Sequence, residues 1–69
     1  MEIPVEEMST SQLNSAIDEI YTWAKQNGNR QLAKDARKAK KASREDKEDF
    51  VDDAQEEIRE TEENRRIAE

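Results

Sequence analysis

Cysteine and histidine are both missing from this chain of 69 residues. Without Cys there is no disulfide and no thiolate site. Without His the commonest metal ligand and the usual general base are gone. No Gly-rich phosphate loop and no nucleophile motif occurs. Nor does the Asp-x-Asp-x-Asp-Gly spacing of a calcium hand. Carboxylate pairs are present, but a small helical chain offers no cleft that would raise one pKa above the other. These absences lead to the expectation of a protein that is not an enzyme and holds no cofactor and no metal.

Other scarcities bound the fold. There is one Pro and one Gly, and after Gly28 neither occurs in the remaining 41 residues. No apolar run approaches the ~20 residues of a membrane span. The first seven residues, MEIPVEE, lack the basic and apolar regions of a signal peptide. No membrane partner and a cytoplasmic location are therefore expected, in keeping with the lack of Cys. A chain this short is one domain with a marginal core.

What is abundant is charge. Charged residues make up 43% and hydrophobic ones 32%. That balance lies near the border of disorder, and only helical spacing of the large apolar residues rescues it. The net charge of −6 hides an asymmetry. Residues 30–44 hold seven cations against one anion, whereas residues 45–69 hold twelve anions against four cations.

Residues 1–8 read as an extended lead-in, because Pro4 biases Ile3 away from helix. Residues 9–27 read as the first helix. Ser9 and Gln12 form a capping box, with Met8 and Leu13 as a hydrophobic staple. Leu13, Ile17, Ile20 and Ala24 make one stripe, flanked by Ala16, Tyr21 and Trp23. Asn27-Gly28-Asn29 ends the helix, Gly28 suiting the left-handed position beyond it, and residues 28–29 are the turn.

Residues 30–66 are rich in good helix formers. Leu32, Ala36, Ala39, Ser43, Phe50, Ala54, Ile58, Thr61 and Ala68 fall within about 100° of arc, with Ala33 and Val51 at the edge. The fold expected is all-α: an antiparallel hairpin of a short and a long helix, straight or kinked near residues 43–47, with a frayed tail at 67–69. The alternative is a three-helix fold with a break near Ser43, which would cap the third helix with Asp46 completing the box.

In the hairpin, helix one packs Leu13, Ile17, Ile20 and Ala24 against Leu32, Ala36 and Ala39. The stripe at Phe50, Val51, Ala54 and Ile58 is left uncovered. That predicts self-association, most simply a dimer, or docking of an unidentified protein.

Two charged faces are further candidates. Arg30, Lys34, Arg37, Lys38, Lys41 and Arg44 share about 120° of arc. They suit the phosphates of a nucleotide or nucleic acid, with Tyr21 and Trp23 placed to stack on a base. Glu45, Asp46, Asp49, Asp52, Asp53, Glu56, Glu57, Glu60 and Glu63 share about 140°. A row like that imitates nucleic-acid phosphates. The plain alternative for both is a solvated helix face. The leading expectation is an oligomeric helical adaptor or inhibitor that works by protein binding. The others are a nucleotide or nucleic-acid binder through residues 30–44, and an acidic mimic of nucleic acid through residues 45–63. Phage-type inhibitors of host machinery share this composition, and no motif carries the likeness further.

Overall fold

The computed structural model describes residues 4–68 of the chain, and side chains for residues 4–66. A 3-10 turn at Val5–Glu7 is followed by three helices: α1 (Thr10–Gln26), α2 (Arg30–Ala39) and α3 (Arg44–Ala68). Every regular element among the described residues is helical.

Helix α1 begins where its local chemistry directs. The Ser9 hydroxyl accepts from the Gln12 amide at 3.2 Å, and the Gln12 side chain accepts from the Ser9 amide at 2.8 Å. Two donors that the first turn leaves open are thereby satisfied. The helix ends in a Schellman motif. The Asn29 amide reaches back to the Ala24 carbonyl at 2.8 Å and the Gly28 amide to that of Lys25 at 3.3 Å. Gly28 adopts φ 71°, the left-handed geometry this closure requires. Asn29 then caps α2 at once, its side-chain oxygen accepting from the Leu32 amide at 3.1 Å. α2 packs back along α1, and Lys40 at its far end pairs with Asp18 at 2.7 Å.

The long helix expected over residues 30–66 is interrupted at residues 40–43, and the three-helix alternative fits the structure. The Lys41 and Ala42 amides make three-residue bonds to Lys38 and Ala39, both 3.1 Å, which tighten and end α2. Ser43 starts α3, its hydroxyl accepting from the Asp46 amide at 3.4 Å. The gain comes from burial. Val51 is 0% and Ala54 1% exposed, both in one cluster with Leu13, Ile17, Ile20, Ala24, Leu32, Ala36 and Ala39. Phe50 and Ile58 pack half-buried against that cluster. Burying Val51 and the covered parts of Phe50 and Ile58 is worth a few kcal/mol, at about 1.5–3 kcal/mol for a fully buried side chain. The stripe at Phe50, Val51, Ala54 and Ile58 is therefore part of the chain's own core. Of the surface on which the expectation of a dimer rests, Val51 and Ala54 are buried within the chain and Phe50 and Ile58 are half-buried.

Two further differences follow. The lead-in is not fully extended, since Val5–Glu7 turns and its Val5 carbonyl accepts from Met8. α3 continues to Ala68, past the expected end at residue 66, while Glu69 and residues 1–3 lie outside the described residues.

Side-chain bonds show that α3 runs in the same direction as α1. At one end the Arg44 guanidinium donates to the Met8 carbonyl, and the Lys47 ammonium to the Asn14 side-chain oxygen at 2.7 Å. At the other, the Asn29 amide group donates to Glu57 at 3.3 Å. Lys47 is the one charged residue buried among the described residues, at 7% exposure. It lies in phase with Val51 and Ala54, so its stem lies along the core while its head meets Asn14.

A prediction arises here. Asn14→Ala leaves the Lys47 ammonium without its acceptor and should lower stability by about 1.5–3 kcal/mol, the range for a hydrogen bond to a charged group. Lys47→Met, which removes the buried charge itself, should be neutral or stabilising. Urea unfolding followed by circular dichroism measures both. Equal losses for the two variants would show that the ammonium–Asn14 bond itself stabilises the fold, since methionine keeps an apolar stem.

Candidate functional site

Helix α2 owes its two faces to the spacing of Leu32, Ala36 and Ala39, which turn inward and are buried. Arg30, Lys34, Arg37, Lys38 and Lys41 are left outside, all exposed. They border a groove of about 720 Å³ between α1 and α2. Tyr21, Ala24 and Ala33 form its apolar lining, and Gly28 and Asn29 line it at the turn. Lys25, from the last turn of α1, joins the lining as a sixth cation, its ammonium 5.4 Å from the centre of the Tyr21 ring.

The electrostatics of this groove are one-sided. None of its lining residues is acidic, although the chain as a whole carries −6. Neither the Lys40–Asp18 nor the Arg44–Glu48 ion pair uses a groove cation. Like charges at i, i+4, such as Arg30 with Lys34 and Lys34 with Lys38, weaken an isolated helix by about 0.2–0.5 kcal/mol per pair. Arg30, in the first turn, also faces the positive end of the α2 dipole. Arg37 and Lys38, in the last turn, lie at the favourable end of that dipole. Besides its cations the lining offers only Tyr21 and Asn29 as polar side chains. The groove can hold an anion by charge and an apolar surface by contact.

The residues grouped by the sequence do not all converge. Tyr21 stands at the groove, but one face of its ring is held by Lys25. Trp23 borders a separate shallow depression with Asp18, Glu19, Thr22 and Gln26. Both aromatics therefore do not flank one ligand. Arg44 is also away from the groove, bonded to Glu48 at 3.2 Å and to the Met8 carbonyl. Lys25 is the groove residue that the sequence pattern does not pick out. The signal available was its place one turn after Tyr21, next to the Asn-Gly-Asn link that brings α2 alongside.

On α3 the carboxylates Glu45, Asp46, Asp49, Asp52, Asp53, Glu56, Glu57, Glu60 and Glu63 are all exposed. Among the described residues no group of acidic side chains is arranged to hold a metal ion. No helix of the described chain is long and apolar enough to cross a membrane. No family model, curated protein or solved structure matches the sequence or the fold of this chain.

Proposed function

We propose that this chain is a non-catalytic binding protein, an adaptor or inhibitor, that holds an anionic partner in the groove between α1 and α2. The observation that carries this reading is the set of six cations bordering the groove, free of acidic neighbours in its lining, in a chain that is otherwise acidic. Charge segregated to this degree steers an oppositely charged partner to one face while the rest of the surface repels it.

The test uses the triple substitution Lys34→Gln, Lys38→Gln, Lys41→Gln and a fluorescent polyglutamate as probe. All three side chains are exposed, so helicity should be unchanged. At low ionic strength the wild type should bind the probe. The triple variant should bind about tenfold more weakly, since each exposed ion pair is worth a few tenths to about one kcal/mol. Removing charge at Arg65 and Arg66, which do not line the groove, should weaken binding less than the triple substitution does. Absence of probe binding by the wild type, or an equal loss in the Arg65/Arg66 control, would overturn the reading.

A further inference from the structure

We infer that the occupant of this groove is an acidic amphipathic helix of a partner protein, lying along α2 and completing a fourth position beside the α1–α2 pair. The inference rests on the anion-binding reading above and names its partner class. Four features of the groove lead to it.

The first is shape. A pair of packed helices has a furrow on each side. Here α3 packs into the core shared by α1 and α2, and no residue of α3 lines the basic groove. The open furrow presents Gly28 and the half-buried Ala33 above the buried Ala24, small residues that let another backbone approach. Interhelical distances of about 8–10 Å depend on such side chains.

The second is charge spacing. Arg30, Lys34 and Lys38 recur at intervals of four residues along α2, and Lys41 follows three residues later, just past its end. A facing helix with carboxylates at the same i, i+4 and i+3 intervals repeats its charges over the same rise, about 6 Å per four residues. The chain's own α3 demonstrates that such rows of carboxylates fit on a helix.

The third is the chemistry of the cations. Four of the six are lysines, Lys25, Lys34, Lys38 and Lys41. Lysine is a point charge on a flexible stem, whereas planar bidentate recognition of phosphate favours arginine. The fourth is the state of the aromatics. Binding of single-stranded nucleic acid relies on bases stacked on aromatic rings. Tyr21 already has Lys25 against its ring, and Trp23 lies at another depression. The apolar alanine lining suits small aliphatic side chains better than a base.

The experiment compares three labelled probes by anisotropy at low and at physiological salt. One is a helical peptide of about 15 residues, long enough for an isolated helix to form, with Glu and Ala confined to one face at the spacing above. The second has the same composition with its carboxylates spread around the helix. The third is a thymidine oligonucleotide of equal charge. The one-faced peptide should bind best, about tenfold tighter than the scattered one. Ala33→Phe, which fills the half-buried alanine position without removing a cation, should weaken the one-faced peptide by about tenfold. The peptide comparison needs no variant, so a failure of Ala33→Phe to fold does not remove the test. Equal binding of the two peptides, or tighter binding of the oligonucleotide, would overturn the helix assignment while leaving the anion-binding reading intact. Self-association of the free chain that the triple Lys→Gln variant abolishes would overturn it in favour of a second copy.

Discussion

Ala54→Asp should leave the chain largely unfolded at room temperature. Ala54 is 1% exposed and lies in the cluster shared by all three helices. An aspartate there must either lose its hydration or push α3 off the core. The effective penalty for an unpaired buried carboxylate is several kcal/mol. The total stability of a small domain is about 5 kcal/mol. The nearest buried cation, Lys47, is two helical turns away, about 10 Å along the axis, and is already bonded to Asn14. The same substitution separates the two architectures the sequence allows. In a monomeric hairpin with a continuous helix from residue 30 to 66, position 54 lies beyond α1, and an added aspartate costs little. Circular dichroism and a thermal melt decide the matter: a folded, cooperatively melting Ala54→Asp variant would mean that α3 does not fold back as described.

The second large effect is expected at Ile17. It is 0% exposed, midway along the buried stripe of α1, between Leu13 and Ile20. Ile17→Ala removes buried methyl and methylene groups and leaves a cavity, at a cost of about 2–5 kcal/mol. In so small a domain the chain should melt far below the wild type, with all three helices unfolding together, because Leu13, Ile17, Ala36 and Val51 belong to one cluster. Partial unfolding, with α3 surviving while α1 and α2 melt, would show that the core is not one cooperative unit. Ile17→Val, which keeps most of the volume, should cost only about 0.5–1.5 kcal/mol, and so calibrates the series.

The first helix and the two residues that stop it were legible because their signals are local. Ser9 and Gln12 bond to each other's backbone three positions apart, and Gly28 closes the end within one turn. No distant residue is needed for either. The break between α2 and α3 has no such signal. Residues 40–43 contain neither Gly nor Pro, and the Ser43 cap at 3.4 Å is weaker than the Ser9 one. Local propensity favours a continuous helix there, and the burial of Val51 and Ala54 in one cluster with residues of α1 and α2 outweighs it.

The candidate site divides in the same way. The row from Arg30 to Lys41 could be placed on one face from the spacing of Leu32, Ala36 and Ala39 alone, since a helix has one periodicity whatever it packs against. Which residues of α1 meet that row could not. Lys25 joins it and Trp23 does not because the direction in which α2 folds back selects one side of α1. Arg44 left the row once α3 became a separate helix whose first residue meets the Met8 carbonyl. Helix type, capping and the polarity of each face were thus determined by the sequence through interactions within a few residues. The path of the chain after Ala39, the burial of Lys47 and the membership of the groove were decided by tertiary packing, because each depends on apolar area covered by residues far away in the sequence.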